Sequence, residues 1–388
     1  MSPSVAPARG PGQAVPTRAT APSAGRGAAS SHRRLAVETE ALIAGVIAAV
    51  AAGLVGAVFF RGLVWPLWGK WSVGAVAAIS VAIAGIVIAA VSYRRSRDLP
   101  GQEWRRRLRP WKSALDVAAV ATVHAVIAGI LAVVVFTTLQ RAFEGIVVDA
   151  LTATAAAATS AGLAGYWISL SASAITTSRM ATLLVVFMAS SVLASMATAQ
   201  DPAWWEYHFS ELGTGDDISS SLFNLAVLVG GAFVTTFAIY VHRDLTTLVR
   251  QGVLVHGWTP RFVSTVFIVM GTMLACVGLF PLDVSVLLHN LSAIGMSLTF
   301  LGLLASTPFT LRGMPARFLW FCAGGIVLLL GGAVLFEPLG YYSLTAFELL
   351  AFAIIFGWIS VFIRFIDALA ERGAAAATAV QRSDDYSV

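Results

Sequence analysis

The chain has 388 residues, of which 58% are hydrophobic and only 12% charged, and its mean hydropathy is +0.82. Soluble domains carry roughly 25% charged residues, so composition excludes a water-soluble globular protein and predicts an all-α, polytopic integral membrane bundle. The formal net charge of +5 reflects how Arg residues are shared between loops, as shown below, and no nucleic-acid partner is expected.

Residues 1–34 are mostly Ala, Pro, Gly, Ser and Arg, with Arg9, Arg18, Arg26, Arg33 and Arg34 as the only charges and no apolar run resembling a signal peptide. This segment reads as a disordered cytoplasmic tail. A spanning helix needs about 20 apolar residues. Nine segments meet that requirement, at about 41–60, 72–92, 114–138, 180–199, 219–241, 262–280, 286–306, 318–336 and 344–363. A tenth, at 147–170, is diluted by Ala, Thr and Ser and has Asp149 near its start. If it lay on the membrane surface instead, every later loop would change sides.

Charge decides between the two, because cytoplasmic loops are enriched in Lys and Arg. With ten spans and both termini inside, the only basic residues outside are Arg61, Lys70 and Arg141. With nine, three loops lacking any Lys or Arg would become cytoplasmic, so ten spans are expected. The loop SYRRSRDLPGQEWRRRLRPWK is then a cytoplasmic face suited to anionic lipid. Residues 35–179 form a four-helix module with an Arg-rich loop at 93–113, residues 180–365 a six-helix core, and 366–388 a cytoplasmic tail. Usage of Arg over Lys, with abundant Ala, Gly and Val, points to an actinobacterium-like source and to the plasma membrane.

The stretch 201–217, DPAWWEYHFSELGTGDD, lies on the outer side with five carboxylates, one His and no basic residue. Its Trp204, Trp205, Tyr207 and Phe209 match an interfacial aromatic belt. Counted from the outer ends, Asn224 is about five residues into the sixth span, His289 and Asn290 about four into the eighth, and Glu348 about five into the tenth. At 1.5 Å per residue they share a layer roughly 6–8 Å below the outer surface. Glu206, His208, Ser210 and Glu211 can fold over that layer, and Asp283 lies just above it. These residues are the candidate ligand pocket, as against ordinary hydrogen-bonded helix ends. His208, Asp283 and His289 form an alternative Zn2+ set, although no HxxxH or HExxH pairing fixes its geometry. Pro281 predicts an unwound entry to the eighth span that brings Asp283 back toward His289, with Asn224 lining the same cavity.

Polar residues inside spans are costly. His124, midway along the third span, reads either as a hydrogen-bonded core imidazole or as a proton or ligand site. Asp116 and Asp149 sit near span ends within reach of water. No P-loop, GxSxG or dinucleotide signature is present, so no cofactor is expected. The prolines fall in tails, loops and helix ends, and Cys276 and Cys322 both lie in apolar runs.

WWEYHFSELG, then LFNLAVLVGG at 222–231 and GLFPLDVSVLLHNLSAIG at 278–295, resemble the DUF998 family of multi-pass membrane proteins over about residues 180–365. The matching positions are Ser210, Leu212, Gly213, Phe223, Asn224, Asp283 and His289. The resemblance implies a six-helix core and no catalytic role. A more distant likeness to eukaryotic membrane proteins associated with lipid handling accompanies it. The expected function is non-enzymatic recognition of a lipid head group or small polar ligand in an outward-facing pocket, with membrane lipids as partners. The alternatives are an intramembrane metal-dependent lipid hydrolase, similar in logic to the alkaline ceramidase superfamily but lacking its several-histidine pattern, and an ion-coupled transporter using His124 and Glu348.

Overall fold

The computed structural model describes the backbone of residues 23–62, 64–99 and 102–385, and the side chains of 35–62, 64–99 and 102–373. It contains ten α-helices: α1 Ser23–Phe59, α2 Val73–Arg95, α3 Pro110–Ala142, α4 Ala150–Ser173, α5 Thr177–Thr198, α6 Ile218–Arg250, α7 Thr259–Leu279, α8 Leu282–Thr310, α9 Ala316–Phe336 and α10 Leu344–Asp385. Among the described residues, nine of these are long and apolar enough to cross a membrane. Even α7 and α9, with 21 residues each, extend about 32 Å, against a hydrocarbon core of about 30 Å. The protein is therefore a polytopic membrane bundle. One terminal expectation needs correction: helix α1 already begins at Ser23, within the segment read as a disordered tail. Helix α10 runs on through most of 366–388, the segment read as a cytoplasmic tail. Residues 1–22 and 386–388 lie outside the described residues.

The exception to the nine is α4, the doubtful tenth segment, and its two ends show where it runs. At its start, Asp149 accepts hydrogen bonds from the N–H groups of Leu151 (2.9 Å) and Thr152 (3.1 Å), the usual service of an N-cap carboxylate. The Thr152 hydroxyl, which donates to the same carboxylate at 2.7 Å, and these N–H groups hold the Asp149 carboxyl below the usual carboxylate range. Just before it, Val147–Val148 pairs antiparallel with Trp65–Pro66 in the loop between α1 and α2. At its other end, Gln102, in the Arg-rich loop between α2 and α3, donates to the carbonyl of Ile175 at 3.0 Å, and Thr177 donates to Asp244 near the end of α6. Helix α4 thus runs from one end of the bundle to the other, and no later loop changes sides.

Its weak hydropathy has a packing cause. Ala153, Ala157 and Ala161 are fully buried, and a Cβ on Gly45 of α1 would lie 2.9 Å from the carbonyl oxygen of Gly162. Small residues let these backbones approach, and in a bilayer such close packing takes the place of the hydrophobic drive.

In the second half the same device joins α6 to α7, where a Cβ on Gly271 would meet the Gly231 carbonyl oxygen at 2.6 Å. Around them Phe267, Phe300, Phe318, Trp358 and Phe362 stack into an aromatic core, and the Trp358 indole N–H donates to Cys322 Sγ at 3.2 Å. The four N-terminal helices pack chiefly on one another, as do the six that follow, yet one continuous core joins them from Ala89 to Ile366. Tyr166 in the last third of α4 donates to Glu38 (2.8 Å), at the start of the apolar stretch Leu35–Phe59 of α1, and Gly373 of α10 abuts Gln251 beyond α6. The start of α1 and the end of α10 therefore lie at the same, Arg-rich end. The opposite end carries 201–217 together with Glu144, Asp283 and Glu337.

Candidate functional site at the acidic end

Residues 201–217 fold as a cap. Asp201 accepts the N–H of Ala203 (2.8 Å), starting a 3-10 turn at Trp204–Glu206, and a second turn follows at Phe209–Gly213. Asp217 accepts from the N–H of Ser220 (2.7 Å) and so begins α6. Between these, the cap is tied down at three places. The Phe209 N–H donates to Glu348 Oε2 of α10 at 2.6 Å. Asn224 of α6 donates to the Gly213 carbonyl at 2.8 Å. The Gly215 N–H donates to Asp283 of α8 at 3.2 Å. Just past the cap, Ser219 of α6 and Ser195 of α5 meet hydroxyl to hydroxyl at 2.9 Å, joining the helices on either side of it. Phe209 is buried edge-on against Phe223 and Phe352, with centroids 5.3 and 5.9 Å away, so it belongs to the core and not to an interfacial belt. Trp205 and Tyr207 remain exposed.

Beneath the cap lies a cavity of about 110 Å3. Its polar lining includes Ser210, His289 and Glu348, and its floor is apolar, with Phe223, Phe352 and Met296 among its residues. The ring of His289 is only 3% exposed. Its Nδ1 lies 3.1 Å from the Phe280 carbonyl oxygen, and since a carbonyl only accepts, Nδ1 carries the proton. His208 lies beside Ser210, with Nε2 3.3 Å from Glu211 Oε2 and Nδ1 3.4 Å from Ser210 Oγ. A carboxylate, an imidazole and the hydroxyls of Ser210 and Ser297 thus line a space walled otherwise by apolar side chains, a site able to hold a small polar group that carries its own apolar substituent.

The candidate residues separate into three groups. Ser210, His289 and Glu348 line the cavity, with His208 beside it. Asn224 and Asp283 serve instead as ties for the cap backbone. Glu206 and Asn290 are exposed, the latter because neighbouring positions on a helix project about 100° apart, which sends Asn290 outward when His289 turns in. The expected break at Pro281 falls elsewhere. Residues 281–285 make a helical turn, and the interruption is at Ser285 (φ −162°, ψ 99°), whose hydroxyl accepts from the Leu288 N–H at 3.3 Å. Ser285 acts as the N-cap of the spanning part of α8, and Asp283 is left facing Gly215. His208, Asp283 and His289 do not gather as metal ligands, and among the described residues no group of three His, Cys, Asp or Glu does. Each of the three is engaged elsewhere, by Glu211, Gly215 and Phe280 respectively.

The structure also shows polar groups that sequence reading had placed in water. Asp116 is 2% exposed, not solvated, and the Thr236 hydroxyl faces it without a well-formed hydrogen bond. Near it, the Tyr93 and Tyr240 hydroxyls meet at 2.5 Å, and Arg105 lies over the Tyr93 ring at 3.6 Å. The signal available in the sequence was the aromatic and Arg content of the loop after α2. Pro308, read as a helix-end residue, falls in the final turn of α8. No family model, curated protein or solved structure matches the chain.

Proposed function

We infer that this multi-pass protein sits in a bacterial plasma membrane with its Arg-rich end in the cytoplasm, and that it recognises, without catalysis, a small amine-bearing polar group of a lipid head group from the outer side. The observation that carries this reading is the Glu348 carboxylate. It stands in the cavity wall and is held there by the N–H of Phe209, so that the cap and the site form one unit. The carboxylates of 201–217 around the entrance favour a cationic or zwitterionic group over an anionic one. At about 110 Å3 the space is smaller than the roughly 300–1,000 Å3 of whole-ligand pockets, which fits a head-group fragment better than an entire lipid. Kinship with the DUF998 family is part of the proposal. It is supported by the positions that carry the resemblance lying together at this end, with Asn224 bonded to Gly213 and Phe223 against Phe209. The hydrolase alternative finds its three candidate ligands dispersed, and the transporter alternative finds His124 bonded to α4, in a different part of the bundle from Glu348.

Thermal unfolding in vesicles tests the reading. Phosphatidylethanolamine is expected to raise the midpoint of the wild-type protein relative to phosphatidylglycerol, because a ligand that binds only the folded state stabilises it. Glu348→Gln is expected to abolish the difference. Equal midpoints for the wild type in the two lipids would refute the assignment.

A further inference from the structure

The polar side chains that line the cavity beneath the cap share one property: each presents lone pairs and not protons. Glu348, as a carboxylate, only accepts, and its Oε2 already takes the Phe209 N–H. In His289 the Phe280 carbonyl takes the Nδ1 proton at 3.1 Å, which leaves Nε2 of the neutral ring as an acceptor. Ser297 commits its proton to the Ala293 carbonyl, also at 3.1 Å. Ser210 is set through a short relay. Glu211 Oε2, 3.3 Å from His208 Nε2, can only accept and so places the His208 proton on Nε2. Nδ1 of the neutral His208 ring, 3.4 Å from Ser210 Oγ, then takes the Ser210 hydroxyl proton. The Ser210 oxygen keeps its lone pairs for the cavity.

Three of these acceptors share a level. Glu348 is four residues into α10, His289 is four residues beyond the break at Ser285 in α8, and Ser210 directly follows the residue whose N–H binds Glu348. Ser297 stands eight residues past His289, about 12 Å deeper, and belongs to the apolar floor. A site with three acceptors and no donor calls for a group with three donors and no acceptor, which describes a primary ammonium. A trimethylammonium carries the same charge but no N–H, and it would leave the acceptors desolvated and unpaired. Its usual partners are open aromatic faces. Phe209, Phe223, Phe352 and Phe356 do line the cavity, but they close on one another, Phe209 edge-on to Phe223 and Phe352, and Phe352 4.5 Å from Phe356.

We propose that the site selects a primary ammonium, as in an ethanolamine head group, over its N-methylated forms, with Glu348, His289 and Ser210 each accepting one N–H and with His208 and Glu211 holding Ser210 in that role. The inference rests on the outer-site reading above and adds the basis of its selectivity. Charge does not separate ethanolamine from choline head groups, whereas the number of donors does. A pocket built to hydrogen-bond its ligand rejects the analogue that lacks the donor far more strongly than an apolar pocket rejects an extra methyl group.

The test measures thermal midpoints of the full-length protein in phosphatidylglycerol vesicles that contain, at one fixed minor fraction, phosphatidylethanolamine, its N-methyl or N,N-dimethyl derivative, or phosphatidylcholine. All four guests are zwitterionic, so the series removes donors at constant charge. The rise over phosphatidylglycerol alone is expected to be largest for phosphatidylethanolamine, to shrink with each methyl group and to vanish for phosphatidylcholine. Ser210→Ala is expected to lower the apparent affinity for phosphatidylethanolamine about tenfold. Glu211→Gln, whose amide can donate to His208 and reverse the relay, is expected to lower it severalfold. The midpoints of both variants in phosphatidylglycerol alone show that they fold. Equal rises for phosphatidylethanolamine and phosphatidylcholine would leave the outer-site reading standing and overturn the selectivity. A larger rise for phosphatidylcholine would assign the site to its aromatic walls and overturn it as well. A methylation series that persists in Glu348→Gln would belong to the bilayer and not to the site, again overturning the proposal. No rise for any guest would refute the outer-site reading itself, and the proposal with it.

Discussion

Arg105 is the buried cation of the basic end, only 6% exposed in a loop otherwise rich in solvated Arg. Its guanidinium donates to the Tyr93 carbonyl (2.6 Å) and the Ser96 hydroxyl (2.8 Å) while stacking on the Tyr93 ring. A Lys ammonium cannot reproduce a planar fork that stacks and donates together. Arg105→Lys is therefore expected to cost about 2 kcal/mol, the range for hydrogen bonds from a charged donor, read as a lower midpoint in thermal unfolding. Arg106 offers the control. It is exposed and paired with Asp98 at 2.7 Å, and such surface pairs contribute about 0–1 kcal/mol, so Arg106→Lys should leave the midpoint nearly unchanged. At the other end of the molecule, Glu348 and Phe209 show a similar logic, in which one side chain fixes a loop and shapes a site at once.

At the scale of elements, backbone contact decides which helices pair. Helix α7 approaches α6 so closely that a Cβ on Gly271 would meet both the Gly231 carbonyl oxygen and Thr235 Oγ1 at 2.6 Å. Neither obstacle is the far end of a flexible side chain, so the helices must separate to admit a methyl group. Gly271→Ala is expected to destabilise by about 1–3 kcal/mol, as overpacking does. At Gly302 of α8 nothing lies within 4 Å of the added carbon, and there the better helix propensity of Ala predicts no loss. Comparing the two melting curves in one detergent checks both. The α1 and α4 contact follows the same rule, and it explains why α4 is rich in Ala, Thr and Ser while crossing the whole bundle. Hydropathy measures affinity for lipid, whereas much of α4 faces protein.

For the molecule as a whole, the even number of crossings puts the start of α1 and the end of α10 at one end, and we propose from the placement of Arg that this end faces the cytoplasm. In a background of Cys276→Ala and Cys322→Ser, single cysteines at Asp216 or Tyr341 are expected to react with an impermeant thiol reagent added to intact cells. One at Val255, on the exposed loop between α6 and α7, should react only after lysis. The reverse pattern would invert the orientation on which the outer-site reading depends.

Contiguous runs of apolar residues, the placement of Arg, and turn residues such as Asp149 and Asp217 are local properties, and the sequence alone determined from them the helical class, the approximate spans and which loops share a side. It also marked the acidic end as the place where Ser210, His289 and Glu348 lie at similar depth. Only the tertiary structure decided which of those residues meet. Phe209 and Glu348 are 139 positions apart, and nothing near either residue records that the backbone of one satisfies the carboxylate of the other. The same holds for Asn290 and Asp283, which share the depth of the site but not its direction, because helix rotation and the break at Ser285 set where side chains point. The cavity beneath the cap was invisible for a further reason. A cavity is the space that two helices fail to fill, and it depends on their separation and crossing, which no single run of residues encodes.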